Sequence, residues 1–364
     1  MKTDGMKTEH TAAKDQYPAL RTACQGLWEQ CFEDSDRYVT YYFEQKWKHS
    51  ETFTRREDNG KIVSMLHLNP YRLNYQDQKV PLHYIVGVST DQSRRHRGYM
   101  RQVLCDALQW MQQRGEPFTY LMPANRAIYE TFGFRSFYRA YAPVKSVVAE
   151  KGQGIMLRPF QKIEPETRRR FIQYIQLFFR KQAELYVQRD LSYFRDIACE
   201  MEACQGELLI MEREGEPMGY LAYGLEEEEP EIFEAAGDTE PECIISAFAG
   251  YLKQWKNKET KTCQLDAVCP MSKQSSLHHE MMGRITDLPA FAGCFAPFSL
   301  SSKRIYIRDE LLPANEGKWE FIRENRKMCA RRLPDTAEVS EMTDISTFFE
   351  QCMQDKKCFL NELV

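Results

Sequence analysis

Much that would direct the reading of this 364-residue chain is missing from it. No apolar run approaches the ~18 residues that a membrane-crossing helix needs, so no transmembrane span and no membrane partner are expected. The opening, MKTDGMKTEHTAAKDQ, is polar and has no apolar core, so it does not read as a secretory signal. A loosely ordered leader is expected over residues 1–16. There is no excess of positive charge. Lys and Arg number 49 against 53 Asp and Glu, with a net charge of −4 and a pI near 6.1, which gives no general basic field for nucleic acid. The twelve cysteines include no Cys-x-x-Cys pair. Cys199/Cys204 and Cys263/Cys269 have the wrong spacing and no nearby histidine, so neither a disulfide framework nor a metal site is indicated. Free thiols in a reducing cytoplasm are expected. Neither nucleotide-loop pattern, G-x-x-x-x-G-K-[ST] or G-x-G-x-x-G, occurs.

What remains is ordinary soluble-protein material. Hydrophobic residues make up 43% and charged residues 28%, enough for more than one core. The length suggests two or three domains. Residues Tyr17 to Lys48 read as two helices. Leu27, Trp28, Cys31 and Phe32 form one apolar stripe, and Tyr38, Val39, Tyr41, Tyr42 and Phe43 form the next, with Asp34 or Ser35 as the cap between them. Ser50 to Arg56 and Lys61 to Leu68 flank an Asn59-Gly60 turn and predict a hairpin. Asn69-Pro70 is expected to end that strand, with another over Arg72 to Tyr75. A strand over Tyr84 to Val88, a helix, a strand over Phe118 to Met122 and a short helix carrying Tyr129 complete a mixed sheet with helices on its faces.

From residue 155 the order restarts. A strand (Ile155 to Pro159), helices over Pro165 to Gln182 and Asp190 to Cys199, a hairpin (Glu207 to Arg213, Met218 to Leu225), a strand (Glu231 to Ala236), a helix (Cys243 to Trp255) and a strand (Cys263 to Val268) repeat the earlier sequence of elements, which suggests a duplicated unit. Its strand-to-helix turn, Gly237-Asp238-Thr239-Glu240-Pro241-Glu242, is acidic where the first is basic, so the second copy reads as structural. The run Glu226 to Glu229 reads as a solvated loop. The last segment predicts strands over Ser302 to Asp309, Lys318 to Glu324 and Lys327 to Leu333, then a helix over Ile345 to Gln354 capped by Asp344. The chain ends Cys-Phe-Leu-Asn-Glu-Leu-Val, an apolar terminus that looks built for burial, whereas free ends usually trail into solvent.

The chemistry concentrates between His83 and Gly133. Arg94-Arg95-His96-Arg97-Gly98-Tyr99-Met100-Arg101 stands between a strand and a helix. Backbone N–H groups at a helix N-terminus, with arginines beside them, suit a phosphate. A basic loop before a helix is by itself more often a solvated surface. This one resembles motif A of the GNAT N-acetyltransferase superfamily, [QR]-x-x-G-x-[GA], matched by Arg95-x-x-Gly98-x-Met100 with Met where Gly or Ala is usual. The segment Tyr129-Glu130-Thr131-Phe132-Gly133-Phe134 is similar to the Y-x-x-[FL]-G-[FY] segment of the same superfamily. The order of a catalytic copy, a degenerate copy and a small C-terminal domain resembles the enhanced intracellular survival (Eis) family.

That resemblance implies an α+β architecture: two tandem GNAT-like mixed-sheet domains with helices on both faces, over 17–150 and 151–290, then a sterol-carrier-protein-like α/β domain over 291–364. It implies acetyl-CoA as cosubstrate, held by Val86, Val88, Arg94, Arg95, Gly98, Tyr99, Met100 and Arg101. It implies Tyr129 as general acid, since a phenol can protonate a leaving thiolate. It also implies that the terminal carboxylate of Val364 is the base. A free α-carboxyl is weak for that task, so burial would have to raise it or lower the amine. Asp34, Asp36, Met65 and Glu362 are the candidate contacts for a small cationic amine such as a polyamine or aminoglycoside. Acidic residues there suit a protein lysine or N-terminus as well, and a non-catalytic apolar-ligand or CoA-binding protein is the reading from a different class. Relatives of this architecture assemble, often as hexamers, so a homo-oligomer is expected.

Overall fold

The computed structural model describes residues 8–12, 18–76, 78–143, 154–226, 229–260, 263–269 and 275–362. Its first part comprises β1 (Thr8–Ala12), α1 (Pro18–Cys31), α2 (Asp36–Tyr41), β2 (Glu51–Arg56), β3 (Ile62–Tyr75), β4 (Gln78–Thr90), α3 (Tyr99–Gln113), β5 (Phe118–Leu121), α4 (Arg126–Glu130) and β6 (Arg135–Pro143). The sequence logic holds locally. Leu20, Cys24, Leu27 and Trp28 recur at helical spacing and are buried, and Ser35 caps α2 by accepting from the Tyr38 amide.

Two expectations fail here. Within the leader, Thr8–Ala12 is a strand paired antiparallel with β2; the remainder of residues 1–16 lies outside the described residues. Asn69-Pro70 does not interrupt β3, which runs unbroken through it. Pro70 faces His83 of β4, whose own N–H and C=O engage the Glu116 carboxylate and the Thr119 hydroxyl on its far side. The proline nitrogen therefore points to the opposite edge. There β2 pairs only as far as Leu68 and a later strand takes over only at Leu73, so no ladder bond is lost.

The middle part comprises β7 (Met156–Pro159), α5 (Pro165–Gln182), β8 (Leu185–Val187), α6 (Leu191–Ala203), β9 (Glu207–Arg213), β10 (Glu216–Gly224), β11 (Glu231–Gly237), α7 (Pro241–Lys256), β12 (Gln264–Leu265) and β13 (Val268–Cys269). The last part comprises β14 (Ser275–Ile285), α8 (Leu288–Phe295), β15 (Lys303–Arg308), β16 (Gly317–Glu324), β17 (Lys327–Arg332), β18 (Glu341–Asp344), α9 (Ile345–Met353) and β19 (Cys358–Phe359). The strands form three sheets. The first runs β1-β2-β3-β4-β5-β14-β6, with β8 beside β3 and β19 beside β8. The second runs β12-β11-β10-β9-β7, with β13 on β11. The third runs β17-β16-β15-β18.

The sheets exchange strands in a way that element order along the chain does not reveal. β14 lies in the stretch that the sequence analysis gave to the second unit, yet it inserts between β5 and β6 of the first sheet, pairing Met282 with Leu121 and Glu280 with Arg139. β8 leaves the middle part to pair with β3, and β19 of the tail pairs parallel with β8. The tail is buried as anticipated: Phe359, Leu360, Asn361 and Glu362 are all nearly inaccessible. One apolar cluster correspondingly spans the three sheets, with Tyr84 and Phe118 from the first, Phe171 and Tyr220 from the second part, and Trp319 and Phe348 from the third.

A buried charge pair sits at the centre of this exchange. Arg284 of β14 donates to Asp309 at 2.5 Å and to the Phe132 carbonyl at 2.7 Å, with both charged residues 2% exposed. Asp309 also accepts from the Leu311 and Leu312 amides and from Asn315, which in turn holds the Leu288 amide and the Thr286 carbonyl. Removing one partner strands the other charge in the core. Asp309→Ala is expected to lower unfolding stability by about 3–5 kcal/mol in a denaturant titration; a loss below about 1 kcal/mol would show that the pair is not holding the parts together.

Candidate active site

β4 and β5 are parallel neighbours, but they pair only at Tyr84 and Tyr120. Beyond that point they part. The cause lies in β4, where the register against β3 slips between Met65 and His67 and Gly87 takes φ +63°. A Cβ at Gly87 would come within 2.5 Å of the Trp28 ring, so the position has neither the backbone conformation nor the room for another residue. Into the gap opens a cavity of about 640 Å³. Ile85 to Val88 form one wall and Leu121, Met122, Ala124 and Tyr129 the opposite one. Trp28, Phe32, Tyr38 and Phe233 close it, and Glu33, Asp34, Ser35 and Glu226 line its acidic end. Size, apolar walls and a few convergent polar groups are the usual features of a small-molecule site.

The basic loop follows the same strand. Asp91 shapes its entry: its carboxylate accepts from the Ser93 amide and hydroxyl and pairs with Lys61 at 2.6 Å, and these contacts, Lys61 first, hold it down to about 2. His96 (φ +61°) and Gly98 (φ +82°) are both left-handed, and Gly98 stands at the N-cap of α3 with no side chain bonded to the first-turn amides. Those amides and the positive helix end are therefore presented to an anion. Arg95, Arg97 and Arg101 are exposed, and among the described residues no carboxylate pairs with them. Arg94 differs: its Nε is bonded to Glu57 of the β2–β3 turn. Tyr99 is buried and Met100 packs on the α3 core, so at these two positions the side chains belong to the fold and the loop offers backbone to a ligand.

Tyr129 is placed by a short helix. Asn125 caps α4 by accepting from the Ala127 amide, and the turn after it closes through Gly133 at φ +78°. A Cβ on Gly133 would lie 2.2 Å from Arg284 Nη1. Tyr129 reaches the cavity wall, and burial pushes its hydroxyl up to about 12. It therefore stays protonated, as a proton donor must, across the neutral range.

The candidate substrate contacts separate. Asp34 lines the cavity and accepts from Trp28 Nε1 at 2.7 Å; burial raises its carboxyl, against that hydrogen bond. Asp36 does not line it and sits exposed in the first turn of α2. Met65 is fully buried among Trp28, Phe43 and Trp47, so it is core and not a substrate contact: it lies on the closed face of β3. Glu362 is buried behind the cavity, bonded to Tyr120 Oη at 3.3 Å, and burial pushes it up to about 7. Val364 lies outside the described residues. Sequence reasoning missed the part played by the second unit. Phe233, Cys204 and Glu226 come from it; Glu226 lies in an exposed loop, as expected, and there accepts from Ser35 Oγ at 2.5 Å at the cavity rim.

Residues 20–137 match the model of the acetyltransferase (GNAT) domain. This part of the chain is similar to a GNAT domain. The enzyme is accordingly an acyl-CoA N-acyltransferase, and the parted strands, the Gly98 loop and Tyr129 all fall within the matched residues. Solved structures of similar fold extend over nearly the whole chain. One is a conserved protein of unknown function from Enterococcus faecalis V583, described as a probable N-acyltransferase, at 17% identity and TM-score 0.69, covering 95% of this chain and 89% of that one. A GCN5-related N-acetyltransferase from Anabaena variabilis aligns at 16% identity and TM-score 0.62, covering 94% and 89%. Eis1 from Mycobacterium abscessus aligns at 13% identity and TM-score 0.62, covering 95% and 89%. No curated protein sequence matches the chain.

The bulge in this GNAT-like domain gives a direct test. Gly87→Ala forces a left-handed alanine against Trp28 and is expected to cost about 1–3 kcal/mol in thermal or chemical unfolding. A fully stable Gly87→Ala protein would mean that β4 does not need the bulge.

Proposed function

We propose that the chain transfers the acetyl group of acetyl-CoA to a primary amine of a small cationic substrate. The observation that carries this is the cavity itself, which places a buried, protonated Tyr129 on one wall and Glu33, Asp34 and Glu226 at the other end. Acidic groups around a cavity concentrate cations and hold an ammonium group near the acyl carbon. The loop fits the donor on the grounds already given: uncapped amides at the N-terminus of α3 and exposed Arg95, Arg97 and Arg101 for phosphates.

Acetyl-CoA supplies an activated acyl carbon and a thiolate leaving group. Val86 and Val88 on the parted strand flank its path. The backbone N–H near Val88 is the donor assigned to the carbonyl oxygen as it gains charge. The amine nitrogen attacks the acyl carbon, the carbon–sulfur bond breaks, and Tyr129 gives its proton to sulfur. The proton lost by the amine goes to the chain's own terminal carboxylate at Val364, as the Eis-like layout implies. We further propose the cytoplasm as its compartment and a homo-oligomer as its working form.

Four measurements test this reading. Acetyl-CoA at 100 times its dissociation constant should add about 2.7 kcal/mol of stability, read as a thermal shift. Tyr129→Phe is expected to lower kcat about 100- to 10,000-fold with acetyl-CoA affinity kept; unchanged turnover would remove Tyr129 as the acid. Because burial holds Tyr129 near 12, its ionisation should cause no fall in kcat on the alkaline side up to about pH 10. A variant extended by several residues beyond Val364 should lose activity if the terminal carboxylate is the base.

A further inference from the structure

Beside Phe233 lies a second, much smaller chamber of about 40 Å³. Phe233 lines both this chamber and the large cavity, so its half-buried ring is the partition between them. Since one water needs roughly 10–15 Å³ on this measure, the chamber has room for an ammonium group. Lys46, Tyr71 of β3, Asp196 and Glu200 of α6, Glu234 of β11, and Asn361 and Glu362 of the tail meet there.

Of the four carboxylates that line it, Asp196, Glu200, Glu234 and Glu362, two have a cation beside them. Lys46 stands 3.8 Å from Glu200 and Arg189 stands 3.3 Å from Glu234. Glu362 has no ion-pair partner among the described residues. Its Oε1 has no hydrogen-bond partner, and neither does Asn361 Oδ1, although each residue is only 4% exposed. Buried acceptors without donors are costly and rare. Two of them in one chamber with Tyr71, whose ring already has the Lys46 ammonium 5.8 Å from its centroid, make a place that a further cation with N–H donors would complete.

We propose that this chamber receives the far ammonium group of a linear diamine or polyamine, whose reacting amine lies in the large cavity toward Tyr129. The proposal rests on the amine-acetyltransferase reading above and names the substrate's second recognition point. Entry requires the Phe233 ring to turn aside. The occupant balances the charge that Glu362 lacks, and its N–H groups satisfy Glu362 Oε1 and Asn361 Oδ1.

A consequence separates this from mere filling by water. Without the ligand, burial holds Glu362 up to about 7, raised further by Glu234 and lowered by Arg189. An arriving ammonium favours the carboxylate, so binding near pH 7 expels a proton from Glu362. The test is calorimetry of the full chain with CoA in two buffers of different ionisation enthalpy, titrating putrescine and n-butylamine, together with acetylation kinetics of both. Expected are a larger proton release for putrescine, and a kcat/KM for putrescine about 10- to 100-fold above that for butylamine, carried by KM. Glu362→Gln should abolish the extra proton and collapse that ratio. Equal proton release and equal kcat/KM for the two amines would overturn the chamber's role while leaving the acetyltransferase reading intact. Failure to acetylate either amine, with acetyl-CoA bound, would overturn both. If Glu362→Gln does not fold, the wild-type proton count decides alone.

Discussion

The buried pair of Arg284 and Asp309 is the constraint on which the other parts of the structure depend. It is formed between the inserted strand β14 and the loop after β15, and the same guanidinium holds the carbonyl of Phe132 at the end of the Tyr129 helix. A buried ion pair stabilises a fold only when its remaining hydrogen-bonding capacity is filled, and here Asn315 and two backbone amides fill it on the Asp309 side. A helix of five residues has little stability of its own; a cation bonded at its C-terminal end anchors it. Tyr129 is thus positioned by residues that lie far away in sequence.

The cavity is built in the same shared way. The first unit parts its strands at Gly87 and supplies the phosphate loop. The second unit lacks that loop, its corresponding turn being acidic, but its contribution is not only structural. Phe233, Cys204 and Glu226 complete the wall, and Glu234 pairs with Arg189, which is fully buried and stacked against Phe179 and Tyr193.

Burial sets the protonation of the groups around the site. His67, wholly buried under the cavity floor with Tyr42 Oη 2.9 Å from Nδ1, is pushed down to about 3 and stays neutral. Tyr129 is pushed up and stays protonated. Asp34 is raised too, by burial first, with the hydrogen bond from Trp28 acting against the shift. Desolvation moves acids and bases in opposite directions, which accounts for the sign of all three.

Much of this was legible in the residues. The helices, the hairpins and their caps follow from apolar spacing and from Ser35, Asn125, Asp190 and Asp344, because these depend on neighbours within a few positions. The Gly98 loop and Tyr129 were legible because each is a short contiguous pattern. Pro70 was misjudged because a proline's cost depends on which edge of a strand its nitrogen faces. Met65 and Asp36 were misassigned because depth and direction are set by packing between parts. The insertion of β14, the crossing of β8 and β19, the acidic rim and the Phe233 partition all need residues some 100 or more positions apart to meet. Sequence determined the elements, the turn at Gly98 and the short helix that carries Tyr129, whose forces are local. Only the tertiary structure decided the substrate end of the site, because charge and shape there come from three parts of the chain closing on one another.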